Sequence, residues 1–282
     1  MRRWIALVAA AVLAPALVTT PATAAPRTAP DPVKAVKHQF RPGHGVRITD
    51  SGHASLGKQR AIFRGKGVLQ FGGSGVVAAD LTERVTTQPP PKDGVAVFSQ
   101  RDIIVNGKGY TSGGVYADRL PEGKTWVRSN FATIGSGGTE QYVNVFDPDI
   151  LRLLTREANR TASGAGGFQY RGATTGAELY KASRILRGQP GGGADGEERT
   201  KIKWRLQLDG RGLPSRLVTE SSTEFFGQGA MKLTVDTRYT GWGSKVAITA
   251  PPADQVADFK DLDSELEPET PLNILVEGAK ND

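Results

Sequence analysis

Three histidines are the side chains in this sequence best suited to hold a metal ion, because the chain has no cysteine. They are His38, His44 and His53, and their spacing fits no common metal-ligand pattern. No histidine follows them in the sequence, so a serine hydrolase triad with a late histidine base is also excluded. We therefore predict neither a metal site nor a bound cofactor.

Other candidates for catalysis are equally weak. The stretch GGSGV at residues 72–76 departs from the G-x-S-x-G nucleophile motif, because valine takes the place of the last glycine. Asp147 with Asp149, or Asp209 with Glu220, could form the carboxylate pair of a glycosidase. Each of these acids has a simpler interpretation as a helix cap, a turn residue or an exposed charge. We expect a protein without catalytic activity.

The N-terminal residues carry an export signal. Two arginines precede an apolar run from Trp4 to about Val18, and Ala22-Thr23-Ala24 has the small-x-small pattern of a cleavage site. The run is too short to span a bilayer, so we predict a signal peptide over 1–24, cleaved near Ala24, and a secreted, extracytoplasmic chain. There is no cysteine to carry a lipid anchor.

The rest of the chain is mildly basic and is predicted to form one domain. We expect an extended Pro/Ala-rich leader over 25–32, a domain over 33–260 and an acidic, loosely ordered tail over 261–282. A Gly-rich insertion at 188–198 is predicted to be flexible. No basic-aromatic motif is present, so nucleic acid is not an expected partner, and a monomer is the default expectation.

Alternating apolar and polar residues predict a large antiparallel sheet. In Ala61–Phe71 the odd positions are apolar or glycine and most even positions are charged or polar; Lys201–Asp209 alternates in the same way. Asn106-Gly107 is a strong hairpin signal. The pattern predicts about ten strands and only two or three short helices, the first beginning near Pro32 and another near Pro148. Residues 174–186 are compatible with either a helix or a strand.

A sheet of this size must cover its apolar face and tends to curl. Curling around a few amphipathic helices leaves a dry cavity that suits an apolar ligand, while a filled hydrophobic core is the alternative. The last strand is predicted to bend at Gly241-Trp242-Gly243 and to end at Pro251-Pro252, since proline cannot donate a ladder hydrogen bond.

The order of four stretches resembles the LppX/LprG-type envelope lipoproteins of the LolA-like lipoprotein-carrier superfamily. The stretches are DPVKAVKHQF, GKTWVRSN, DPDILRLLTREA, and WRLQLDGRGLPSRLVTE with YTGWGSKVAITAPPADQVADF. The resemblance implies a mainly β (α+β) fold, in which a curved antiparallel half-barrel sheet carries a few helices on its concave face. It also implies an apolar cavity for the acyl chains of a lipid or glycolipid. The lipidated cysteine of that family is missing here.

This resemblance predicts a secreted, non-enzymatic lipid-binding or carrier protein, and the alternative is a protein-binding sensor or assembly factor of the cell envelope. Lys201, Lys203 and Arg205 on the outer face could contact anionic head groups, although a solvated strand face explains them as well. The candidate ligand-binding residues of the apolar cavity are Phe63, Leu69, Phe71, Val105, Leu151, Leu154, Trp204, Leu206, Met231 and Leu233.

Overall fold

A computed structural model describes residues 30–90, 97–129, 139–156, 158–163, 166–188, 199–225 and 229–262. The predicted signal peptide over 1–24, residues 25–29 of the leader, nearly all of the Gly-rich insertion and the tail after Leu262 lie outside the described residues.

The described chain forms one large sheet with four short helices. The helices are α1 (Pro32–Lys37), α2 (Pro148–Arg156), α3 (Gly176–Ala182) and α4 (Arg184–Arg187). The strands are β1 (His44–Leu56), β2 (Gln59–Phe71), β3 (Val76–Gln88), β4 (Val97–Val105), β5 (Lys108–Gly113), β6 (Trp126–Ser129), β7 (Asn159–Ala162), β8 (Phe168–Thr175), β9 (Lys201–Leu208), β10 (Pro214–Phe225), β11 (Gly229–Lys245) and β12 (Val256–Asp258).

The sheet has twelve strands in the order β12-β6-β5-β4-β3-β2-β1-β11-β10-β9-β8-β7. Two antiparallel meanders, β1 to β6 and β7 to β11, therefore meet where β1 pairs with β11, and we call this pairing the central seam. The only parallel pair among the described strands is β6 with β12. Helix α2 lies in the connection between the two meanders.

The sheet curves around the helices, as predicted. Helix α2 turns Ile150, Leu151 and Leu154 inward and contacts α1, α3 and β8. The core cluster that it joins contains side chains from β1, β2 and β3 on one side of the seam and from β8 to β11 on the other. One cluster packed against short helices can contain side chains from both meanders only if the sheet bends around it, so the half-barrel with helices on its concave face is confirmed. We call this concave face the inner face.

The segment that was ambiguous in the sequence is helical. Thr175 caps α3 through a reciprocal capping box with Glu178, in which the threonine hydroxyl accepts from the Glu178 amide and the carboxylate accepts from the Thr175 amide. Ser183 then ends α3 and caps α4 by accepting from the Leu186 amide at 3.0 Å.

The prediction for the last strand is partly wrong. Gly241 and Gly243 have φ of +64° and +77°, and the register with β1 shifts beside them, so the expected irregularity is present. Strand β11, however, ends at Lys245, well before Pro251, and β12 follows the prolines. Pairing ends early because the chain leaves the sheet at the end of β11 and crosses the outer face.

This crossing segment, residues 246–258, covers an apolar patch on the outside of the first meander. Ile248 and Val256 pack against a cluster of buried side chains there, and the Ile248 amide donates to the Gln70 side chain at 2.8 Å. Arg128 of β6 forms a two-pronged ion pair with Asp258 of β12, at 2.6 and 2.9 Å. The covered residues are Ala78, Ile103, Val105, Tyr110 and Trp126.

Candidate ligand-binding site

All ten predicted cavity residues are buried, and nine of them lie on the inner face or on the helix packed against it. They fall into two apolar clusters. The helix-covered cluster contains Leu69, Phe71, Leu151, Leu154, Trp204 and Leu206. The second cluster, at the other end of the strands, contains Phe63, Met231 and Leu233. Val105 is not brought together with them, because it points outward beneath the segment 246–258.

The helices over the first cluster are tied to one another by buried polar contacts. Asp147 is 2% exposed and accepts from the Asp149 amide at 2.8 Å, which fixes the start of α2. Its other carboxylate oxygen accepts a hydrogen bond from the hydroxyl of Ser183, a fully buried residue at the junction of α3 and α4. This contact holds the three helices as one layer over the sheet.

Aromatic rings close one end of the helix-covered cluster. Phe71 of β2 contacts Phe40 and Trp242, with ring centroids 5.4 and 5.8 Å away, and Phe146 lies between Phe71 and Tyr239. The Trp242 indole donates to the carbonyl of Pro214 at 2.8 Å, so the ring between the two glycines has a fixed position. Aromatic burial of this kind makes this end of the inner face rigid.

The second cluster covers the far end of the inner face. It combines β1, β2 and β3 with β4 and β11, and Ala54 pairs directly with Ala61 across β1 and β2. Within the part of the chain that the structure describes, the partly buried side chain of Tyr142 packs against this cluster. The small alanines leave the backbone of β1 and β2 close to whatever occupies this end.

A polar belt separates the two clusters, with Gln141 at its centre. This side chain is 2% exposed; its amide donates to the Thr237 hydroxyl at 2.8 Å and to the Leu217 carbonyl at 3.3 Å. The Thr219 hydroxyl donates to the Gln141 carbonyl oxygen at 2.7 Å. Gln141 therefore links β10 and β11 on the inner side and fixes the segment before α2 against the sheet.

Acidic side chains extend the belt across the first meander. Asp50 and Glu83 both lie opposite Gly65, from β1 and from β3, and Glu140 is close enough to interact with both acids. Burial, reinforced by the neighbouring carboxylates, raises the pKa of Glu83 to about 8, that of Glu140 to about 7 and that of Asp50 to about 6. Burial also raises the pKa of Asp102. Near neutral pH part of this group is protonated and can donate hydrogen bonds.

The sequence analysis missed this acidic belt, although a signal was present. Asp50 occupies the same alternate positions as Val46, Ile48 and Ala54, and Glu83 shares those of Ala79 and Val85. An acid at an inward position of a strand is either paired or part of a site.

Two buried polar atoms on the inner face have no hydrogen-bond partner among the described residues. They are an oxygen of the Asp50 carboxyl and the indole nitrogen of Trp204. Trp204 lies directly over Gly172 of β8, where a Cβ would come within 2.7 Å of the ring. Unsatisfied buried polar atoms are uncommon and mark places where a ligand group or water can bind.

The residues considered first for catalysis have structural roles or lie apart. Asp147 caps α2, and Asp209 forms a turn by accepting from the amides of Arg211 and Leu213, both at 2.9 Å. Glu220 is exposed on β10. In the described part of the chain, no group of three acidic or histidine side chains is placed to hold a metal ion. Within the same residues, no helix has the length and hydropathy needed to cross a membrane.

The chain matches no protein-family model, and no curated protein matches it. Among solved structures it is similar to a LolA-superfamily protein from Nitrosomonas europaea, with 7% identity, coverage of 77% of this chain and 93% of that one, and a TM-score of 0.28. It is also similar to a putative outer membrane lipoprotein-sorting protein domain from Vibrio parahaemolyticus, with 8% identity, coverage of 74% of this chain and 89% of that one, and a TM-score of 0.26. A third similar structure is a DUF1329 family protein from Desulfovibrio piger, with 12% identity, coverage of 78% of this chain and 95% of that one, and a TM-score of 0.22.

Proposed function

We propose that this is a secreted, non-catalytic protein that binds the acyl chains of a lipid or glycolipid along the inner face of the half-barrel. The observation that carries the proposal is an apolar inner face much longer than the helices over it. Strand β1 has 13 residues, about 43 Å in extended form. Helix α2 has 9, about 14 Å. An apolar cluster lies on each side of the polar belt along that length, and an extended acyl chain could contact both.

The polar belt fits the same role. An amphiphile carries a head group that needs hydrogen-bond partners when its tail is buried, and the Asp50 oxygen and the Trp204 indole are free to provide them. The partly protonated acids near Asp50 can donate to a neutral sugar or ester oxygen. The sequence resemblance to LppX/LprG-type carriers agrees with this proposal.

In the structure the inner side chains are packed together, so binding requires the helix layer or the belt to move. A lipid that replaces side-chain contacts with its own would gain about 25 cal/mol for each square ångström of apolar surface that it buries. The helices are short and are linked to one another through Asp147 and Ser183, so we expect them to shift as one layer.

The test is native mass spectrometry of the secreted protein, followed by organic extraction and titration with a fluorescent fatty acid. A discrete added mass that extracts as acylated lipid supports the proposal. Leu233→Gln should abolish binding of the fluorescent fatty acid. Val105→Gln also replaces a buried aliphatic residue by glutamine, but on the opposite face of the sheet, and should leave binding of the fatty acid intact. Thermal unfolding of both variants controls for loss of fold. Probe binding that falls equally in the two variants contradicts an inner-face site.

A protein-binding sensor or assembly factor is the second candidate. It is favoured by the hydrogen-bonded Gln141 at the centre of the inner face, which fills the space that a tail would cross. A folded protein that releases no lipid and ignores the probe would favour this candidate. A saturable complex with a purified envelope protein, measured by titration calorimetry, would then establish it.

A further inference from the structure

Two aliphatic side chains on the helix layer face solvent. Leu153 of α2 is 37% exposed and Ile185 of α4 is 44% exposed, which makes them unusual among the large hydrophobic residues that the structure describes. Leu153 points away from the sheet, while its neighbours Leu151 and Leu154 point into the inner-face cluster. A surface cavity of about 330 Å³ lies between α2 and α4 and includes Leu153 in its wall.

Arginines surround these aliphatic side chains. Arg152 and Arg156 of α2 and Arg184 and Arg187 of α4 line the same cavity, and Asp149 is the carboxylate among its lining residues. Asp149 accepts from Arg152 at 2.8 Å and from Arg184 at 3.1 Å, and the two arginine side chains are 53% and 81% exposed. The patch therefore holds four guanidinium groups against one carboxylate.

Two of the four arginines have no carboxylate partner in the described part of the chain. Among the described residues, no carboxylate lies within ion-pair distance of Arg156 or Arg187. Arg187 donates to the backbone carbonyls of Tyr180 and Lys181, which holds its guanidinium at the surface. A second cavity of about 360 Å³ extends from Arg156 to Lys34 and Lys37 of α1, so the positive surface continues along the helix layer.

Exposed aliphatic tips within a ring of cations match the interface of an anionic bilayer, where cations meet phosphates and apolar tips enter the acyl boundary. We propose that this patch, formed by Arg152, Leu153, Arg156, Arg184, Ile185 and Arg187, docks the protein on an anionic phospholipid bilayer. A nucleic acid fits less well, because the patch presents aliphatic side chains where base stacking needs aromatic ones.

The position of the patch connects it with the inner face. Leu151 and Leu153 lie on nearly opposite sides of α2, so a bilayer that touches the patch is one helix diameter, about 10 Å, from the helix-covered cluster. A tail leaving the bilayer would reach the sheet by the shortest path there. In this respect the inference rests on the proposed function, which requires the carrier to meet a membrane.

The experiment is co-sedimentation of the full chain with vesicles of phosphatidylcholine containing about 30 mol % phosphatidylglycerol, and with vesicles of phosphatidylcholine alone. Each cation near an anionic leaflet changes the partition coefficient about fivefold. Arg156→Gln with Arg187→Gln should therefore lower it about 30-fold. The matched control is Arg64→Gln with Arg84→Gln, two exposed arginines directly opposite each other on the outer face of β2 and β3.

Ile185→Lys separates insertion from simple charge attraction. It adds a cation and removes an aliphatic tip, so we expect weaker partitioning, whereas attraction by charge alone would strengthen it. The proposal is overturned if Ile185→Lys binds more tightly, if the two double variants lose binding equally, or if wild type binds duplex DNA as tightly as vesicles. All substituted side chains are exposed, and circular dichroism verifies their fold. Lipid extraction and probe titration use no vesicles, so carriage and docking can fail separately.

Discussion

The partly buried acid Glu83 should make the protein less stable as the pH rises. Its pKa increases from 4.5 to about 8 on folding, so the folded state keeps a proton that the unfolded chain has already released. The free energy of unfolding is then highest below the unfolded pKa and falls as the pH rises toward the folded one. One pKa unit corresponds to about 1.4 kcal/mol, which gives a loss of about 4 kcal/mol between about pH 5 and pH 9.

The neighbouring acids act in the same direction, because the pKa values of Asp50 and Glu140 are also raised by burial. Asp149 and Glu178 have lowered pKa values from hydrogen bonds to arginine and threonine, and their contribution is lost only in acid. Burial and the nearby Arg60 lower the pKa of His53 below 6.5, which acts in the opposite direction on the acid side of neutrality. The loss of stability between about pH 7 and pH 9 therefore reports the acidic belt.

Glu83→Gln is the decisive substitution, since glutamine keeps the size and hydrogen-bonding capacity of the protonated acid but does not titrate. Urea unfolding followed by tryptophan fluorescence at about pH 5, 7 and 9 should show a variant stabilised by about 3 to 4 kcal/mol at the highest pH and nearly unchanged at the lowest. Glu220→Gln, on an exposed position of β10, is the control and should follow wild type. A Glu83→Gln curve parallel to wild type across this range would refute the reasoning.

Two further predictions concern the belt and the bend in β11. Gln141→Leu should lower the free energy of unfolding, measured by urea titration, by about 3 kcal/mol. The reason is that the buried hydroxyls of Thr219 and Thr237 lose their hydrogen bonds to the Gln141 side chain. A loss below about 1 kcal/mol would show that water replaces the amide. Gly243→Ala should cost about 1 to 2 kcal/mol by the same assay, because φ is +77° there, whereas Gly73→Ala, in open space, should be nearly neutral.

Strand periodicity predicted which face of the sheet most residues occupy. In β2 and β9 the charged residues alternate cleanly with apolar ones, so Phe63, Phe71 and Trp204 could be placed inward from the sequence alone. The face occupied by Val105 could not be predicted, because Ile103-Ile104-Val105 is a continuous apolar run without the alternation that distinguishes inward from outward positions. Both faces are buried at that point, since the segment 246–258 covers the outside, and a strand buried on both sides loses its alternation.

The polar belt depends on contacts between residues distant in the sequence. Gln141 contacts Thr219 and Thr237, which lie 78 and 96 residues away in the sequence, and no local pattern encodes such a contact. Likewise Asp50 and Glu83 look like ordinary strand carboxylates until the register sets both opposite Gly65. The sequence therefore predicts the surface of the site but not its charged centre.

The central seam joins the first strand of the sheet to one of the last, with His44 opposite Lys245. Every hairpin within the two meanders can form from neighbouring residues, but this pairing requires almost the whole described chain to be present. Contacts so distant in sequence form slowly, because the entropy of closing the intervening chain is lost before the contact is made. Until the seam closes, β1 and β11 are two unpaired edges in one molecule, open to pairing with other chains. The strand that completes the sheet is thus also the one whose delay exposes the chain to aggregation during folding.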